Sequence, residues 1–198
     1  MFSFTLKKSC QKNFELVHNQ QLKELLDDGN FLEAEGTIDL LSRISDAANQ
    51  EGFERTEGIR KKQLLSEKTK SQGRKRGRKH KSKSLFPPSG PQIAVLKLAD
   101  NDINHYGQDG NFTSVRCMQL IKSIISYSKD LREIDLFGND IGDLAARQIL
   151  EGILFRKDAK LSQIGVRLDH RINQDTFDMV RKLASGPKKP KSRRKKKK

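Results

Sequence analysis

The stretch Leu131–Leu150, "LREIDLFGNDIGDLAARQIL", changes its period halfway along. Leu131, Ile134 and Leu136 are spaced as the buried side of a short strand, in which alternate residues share a face. Gly138-Asn139 then supplies a turn, and Ile141, Leu144, Ala145, Ile149 and Ile153 follow at helical spacing. Residues 93–103, "IAVLKLADNDI", begin in the same way. Ile93, Leu96, Leu98, Asn101 and Ile103 are spaced internally as Leu131, Ile134, Leu136, Asn139 and Ile141. Between the paired aliphatics lies a residue that must face the other side of the strand. The Asn can satisfy backbone groups that a strand ladder cannot reach within a turn.

Five matched positions in two separate copies, L-x-x-L-x-L-x-x-N-x-L with aliphatic substitutions, resemble the leucine-rich repeat. The long helices predicted after Asn101 (Val115, Met118, Ile121, Ile125) and after Asn139 resemble its ribonuclease-inhibitor-like subclass. A third, worn copy is read at Leu161, Ile164, Val166 and Leu168, with Asp169 in place of the Asn. A last helix follows through Ile172, Phe177, Val180 and Leu183. The resemblance covers residues 92–185 and implies an α/β solenoid of about three strand–helix units. A small α/β domain of three strands and three helices shares the same elements and differs only in strand order.

Outward from this core, residues 11–50 read as an α-helical hairpin within a unit spanning 1–59. "QKNFELVHNQQLKELLDD" forms its first helix, Asp28-Gly29-Asn30 breaks it, and Asn30 caps a second helix beginning at Phe31. Such a hairpin is a candidate for capping the array or for self-association. Helical pattern continues weakly through residues 51–68, across Gly52 and Gly58. Residues 60–91 read as a disordered basic linker that closes on Pro87, Pro88 and Pro91, and 186–198 as a disordered polybasic tail.

Charge divides the chain sharply. Residues 60–83 hold 12 Lys or Arg and one Glu, and residues 188–198 hold nine and no acid. These two runs carry +20 against +15 for all 198 residues, so the remainder is mildly acidic at −5. Basic arms on an ordinary domain fit this division better than a basic fold gripping nucleic acid. The arms are candidates for polyanion contact or nuclear import through Arg74, Lys75, Arg76, Arg78, Lys79, Lys81, Arg193, Arg194, Lys195, Lys196, Lys197 and Lys198. The partners so implied are nucleic acid, an import receptor or an acidic surface such as that of a microtubule. The matching locations are the nucleus or, alternatively, the cytoskeleton, including the cilium.

The sequence holds no stretch of about 20 apolar residues and no secretory leader pattern. Cys10 and Cys117 are its only cysteines, which points away from a disulfide framework and towards a reducing, intracellular setting. His18, His80, His105 and His170 have no metal-ligand spacing, and neither "GQDGN" nor "GNDIGD" is followed by a Walker lysine. No cofactor, metal or catalytic set is expected. In leucine-rich-repeat proteins the residues between the buried aliphatics line a concave sheet and contact protein partners. Carried onto this chain by the resemblance, those positions are Val95, Lys97 and Ala99; Glu133, Asp135 and Phe137; and Gln163, Gly165 and Arg167. Asn101 and Asn139 are the structural turn residues. The expected function is therefore a non-enzymatic adaptor, with a nucleic-acid- or chromatin-associated protein acting through its arms as the alternative.

Overall fold

A computed structural model describes residues 23–70, 92–106 and 110–184. Strands β1 (Glu24–Leu26), β2 (Val95–Lys97), β3 (Glu133–Asp135) and β4 (Gly165–Arg167) form one parallel sheet in chain order. Each is followed by a helix: α1 (Glu33–Lys70), α2 (Gly110–Tyr127), α3 (Asp143–Asp158) and α4 (Gln174–Leu183). The helices pack in the same order, α1 on α2, α2 on α3 and α3 on α4. Parallel neighbours joined through helices are compatible with a short strand–helix solenoid.

The core lies between sheet and helices. Leu96 and Ile134, the middle residues of β2 and β3, are fully buried. Leu25 and Val166, their counterparts on the outer strands, pack against the same cluster. Leu40, Leu41 and Ile44 of α1, Met118, Ile121 and Ile125 of α2, and Ala145, Ile149 and Ile153 of α3 close it from the helical side. These positions recur every three or four residues, so each helix turns one apolar stripe inward. At about 2 kcal/mol for each large side chain, this burial is the main force holding the layers together.

The turns after the strands share one geometry. Gly29, Asp100 and Gly138 all have positive φ, at 69°, 53° and 75°, and each immediately precedes an Asn. Gly138 has a second constraint, since a Cβ there would lie 1.9 Å from an Asp100 carboxylate oxygen. Asn139 Nδ2 donates to the carbonyls of Leu98 (2.7 Å) and Leu136 (3.0 Å), and its Oδ1 accepts from the N–H of Asn101 (3.0 Å) and Ile103 (3.1 Å). Asn101 does the same one unit earlier. Its Nδ2 donates to Asp27 and Ala99, and its Oδ1 accepts from Asn30 (3.1 Å) and Leu32 (3.3 Å). Each buried Asn thus satisfies the turn of the unit before its own.

Arg156 fixes the opposite end of the sheet. It continues the buried stripe of α3 and is itself only 2% exposed. Nε donates to Ser162 O (2.6 Å), Nη1 to Ile125 O (2.9 Å) and Ser128 O (2.7 Å), and Nη2 to Leu131 O (3.0 Å) and Ser162 Oγ (3.3 Å). All five N–H groups are used, and every acceptor is neutral. Burial, then the nearby charge of Arg55, holds the guanidinium down to about 10, while Glu51 pulls the other way. The cation faces the negative end of α2, where Arg55 also donates to Tyr127 O.

Five expectations are corrected. Residues 24–26 are strand, paired Leu25 to Leu96, and so do not belong to a helical hairpin. Backbone pairing to a neighbouring parallel strand outweighs the helical spacing of Leu22, Leu25 and Leu26. Residues 11–22 lie outside the described residues, and the self-association expected of a hairpin loses this part of its basis. The described units number four, with β1 and α1 as the first. Asn30 does not cap α1 by its side chain, which instead donates to Asp27 in the shared turn.

Helix α1 also runs through Lys70, past the expected linker start at residue 60. Residues 71–91 and 185–198, which hold the rest of the linker and the tail, lie outside the described residues. Finally, β4 is two residues out of the expected register, since Ile134 pairs with Val166 rather than with Ile164. The connection after α3, which turns through Lys160 at φ 55°, carries these two extra residues. Continuing this pairing brings Arg171, not Asp169, to the level of Asn139.

Asn139→Ala removes the hydrogen bonds of a buried side chain that spans two turns. It should lower the unfolding free energy by about 2–4 kcal/mol. Asn30→Ala, at the exposed edge, should stay within about 0.5 kcal/mol. Chemical denaturation of both variants checks the pair, and equal losses would mean that the turn bonding is not what stabilises the stack.

Candidate functional site

The outward strand positions form two rows across the sheet. One runs Glu24, Val95, Glu133, Gly165, and the other Leu26, Lys97, Asp135, Arg167. A residue's two strand neighbours face the core, so these side chains must face the opposite side. Glu24, Leu26, Glu133 and Arg167 are exposed, while Val95, Lys97 and Gly165 are half-buried. Leu26, on the edge strand β1, is 60% exposed.

The most organised part of this face joins β3 to β4. Asp135 Oδ2 pairs with Arg167 Nη1 at 3.1 Å, and Asp135 Oδ1 accepts the Phe137 N–H at 3.0 Å. The Arg167 guanidinium lies 4.2 Å from the centre of the Phe137 ring. Phe137 is consequently 38% exposed and roofed by a cation instead of standing free. Acid, cation and ring form one amphipathic patch whose orientation is fixed by strand register.

Of the expected face residues, the structure brings together Val95, Lys97, Glu133, Asp135, Phe137, Gly165 and Arg167. Ala99 is buried, and its N–H donates to Asp28. Gln163 lies before β4, outside the two rows, and its amide donates to Leu183 O at the end of α4 (2.6 Å). The two-residue shift in register removes it from the face. Asn101 and Asn139 are buried in the turns. The basic candidates Arg74, Lys75, Arg76, Arg78, Lys79, Lys81 and Arg193 through Lys198 all lie outside the described residues.

Glu24 and Leu26 were missed. Their signal is the series Leu22, Leu25, Asp27, Asn30, Leu32, which keeps the spacing of the later copies with an acid at the third aliphatic place. The dipeptide Gly29-Asn30 repeats Gly138-Asn139 and was the better clue. Arg156 was missed too, although it falls in phase with Ala145, Ile149 and Ile153.

A second polar group lies at the turns. The His105 N–H donates to Asp140 O (3.0 Å), as does ring Nδ1 (2.8 Å), and the Tyr106 hydroxyl donates to Asp140 Oδ2 (2.6 Å). The hydrogen bond to Asp140, reinforced by its charge, raises the Tyr106 pKa. These bonds pin the insertion after Asn101 to the next turn. Among the described residues no group of three or more His, Cys, Asp or Glu could hold a metal ion. None of their helices is long and apolar enough to cross a membrane. No family model and no curated protein matches the sequence.

Cys117 is fully buried on α2, and burial pushes its thiol from the ordinary value of 9.0 up to about 12. A thiolate is the reactive form, so this sulfur is a core atom and a poor nucleophile. Iodoacetamide at a pH near that ordinary value should leave Cys117 unlabelled until the chain is denatured, as peptide mass spectrometry would show. Above pH 9 the unfolded thiol has released its proton while the folded one keeps it. Its contribution to stability is therefore full below pH 9 and falls as pH rises towards 12, by at most about 1.4 kcal/mol per unit. Rapid native labelling would contradict the packing of α2.

Proposed function

We propose that this chain is a non-enzymatic adaptor built as a short leucine-rich-repeat array. Its outward strand face holds a protein partner, and its basic segments set its location in the cell. The observation that carries this reading is the pair of aligned rows on a parallel sheet whose helices all follow their strands onto the core side. The shared left-handed turn residue before Asn30, Asn101 and Asn139 supports the repeat reading, as does the transfer of the Asn101 and Asn139 side chains to the preceding turn. Phe137 under Arg167, with Leu26 at the far edge, offers apolar area of the kind that anchors interfaces. Glu24 and Glu133 in the same face repel a phosphate backbone, so a protein fits this surface better than nucleic acid does.

The alternative, nucleic-acid or acidic-surface binding through the arms, has one observation in its favour. Arg60, Lys61 and Lys62 stand exposed near the end of α1 and lead directly into the basic run. In this reading the arms direct the protein to the nucleus or to a cytoskeletal surface, while the sheet chooses the partner.

Phe137→Ala should weaken partner capture at least about fivefold, which corresponds to a loss of 1 kcal/mol. Arg167→Ala should cost less, and the double variant should fall short of the sum because one stacked pair is removed. Neutralising the Lys and Arg of 74–83 and 188–198 should instead change location and leave capture intact. Co-precipitation and imaging of both sets decide the matter. Partners lost only with the arms would sink the adaptor reading.

A further inference from the structure

We infer that the cleft between α3 and α4, at the β4 edge of the sheet, is a docking site for an acidic peptide that inserts one apolar side chain. The inference does not depend on the strand-face reading. The cleft is bounded by the last turns of α3, residues 161–164 and the end of α4. Its volume is about 220 Å³. That is below the roughly 300–1,000 Å³ of sites for drug-sized ligands and suits a single large side chain. Ile153, Leu161, Ile164 and Leu183 supply apolar walls.

The charge around this hole has one sign. Lys157 and Lys182 line it and are both exposed. Among the described residues neither ammonium has a hydrogen-bond or ion-pair partner. Arg156 forms part of the wall, and its five donors all end on neutral oxygens, so no bound carboxylate cancels its charge. Three cations and no acid line the cleft. An apolar hole rimmed by unpaired cations is complementary to an apolar side chain flanked by carboxylates.

The chain's own continuation is the wrong occupant. The described residues end at Ala184, next to Leu183 of the cleft, and residues 185–198 carry nine Lys or Arg and no acid. Like charge disfavours their docking against Lys157 and Lys182. A nucleic acid would satisfy the lysines and leave the apolar walls empty.

The test is fluorescence anisotropy with the full 198-residue chain. The probe is a labelled short peptide of glutamates and glycines with one central leucine. The comparison probes are the same peptide with glycine at the centre and a single-stranded oligonucleotide of similar length. The leucine peptide should bind about tenfold more tightly than its glycine counterpart, a difference expected of one buried anchor. Lys157→Glu with Lys182→Glu should weaken it by about tenfold or more at low salt. Lys157→Gln with Lys182→Gln, milder changes at exposed positions, should weaken it about threefold and keep the test intact if charge reversal unfolds the chain. A full-length variant with the basic residues of 188–198 changed to Gln should still discriminate leucine from glycine. The inference is overturned if both peptides bind alike, if both lysine pairs leave binding unchanged, or if the oligonucleotide binds more tightly than the leucine peptide through the same lysines.

Discussion

Two buried asparagine side chains hold the turns of this sheet in register. A parallel stack of three-residue strands makes few ladder bonds, and its turns leave N–H and C=O groups facing inward. Left unpaired, each such group would cost about 1–3 kcal/mol. Asn101 and Asn139 supply both a donor and an acceptor, and an amide side chain is short enough to reach the neighbouring turn without filling the core. The left-handed residue before each Asn swings its side chain inward. That explains glycine at 29 and 138, and makes Asp100 the strained member of the set. Asp100 also packs its carboxylate where a Gly138 side chain would otherwise lie, so the choice at one turn restricts the next.

At the other end of the strands the problem is the same and the solution differs. Helix α2 ends in carbonyls that would be buried beneath α3, and Arg156 brings five donors to that region on one side chain. A buried guanidinium without a carboxylate is costly. Carbonyl oxygens at a helix C-terminus, each bearing partial negative charge, offset that cost. The outward face depends on both devices. Asp135, Phe137 and Arg167 meet only because β3 and β4 keep their register, and a slip of β4 by one residue would send Arg167 to the opposite side.

How far the sequence revealed this depends on the residue. The paired motifs at 93–103 and 131–141 gave their strands, turns and buried Asn directly, because aliphatic spacing and the Asn role are both local in origin. The first unit was hidden by Asp27, which breaks the apolar pair, and by Leu22, Leu25 and Leu26, whose spacing also fits a helix. Only pairing with β2, whose register partners lie 71 residues away, distinguishes the two. The offset of β4 was hidden because Ile164 and Val166 are both apolar and either could face inward. The connection from α3 decides between them. The cleft beside α4 was not legible at all, since its walls come from three separated segments.

The wide separation of β1 and β2 in sequence has a structural consequence. Lengthening a connection between adjacent strands costs little, about 0.6 kcal/mol for each doubling, so a long basic insertion can be carried between two paired strands. Helix α1 sets where that insertion leaves. Its 38 residues extend about 57 Å, against about 27 Å for the 18 residues of α2. Its core stripe is buried only as far as Gly52, which packs on Tyr127 at the end of α2. Beyond it, Ile59 and Leu64 are at least half exposed, and Arg60, Lys61 and Lys62 face solvent. The basic run therefore begins on a helical arm that outruns its neighbour, some 20 Å or more beyond the packed layer by the same rise per residue. Screening limits the reach of exposed charges to about 8 Å at physiological salt, so the far end of that arm and the acidic residues of the strand face are electrostatically separate.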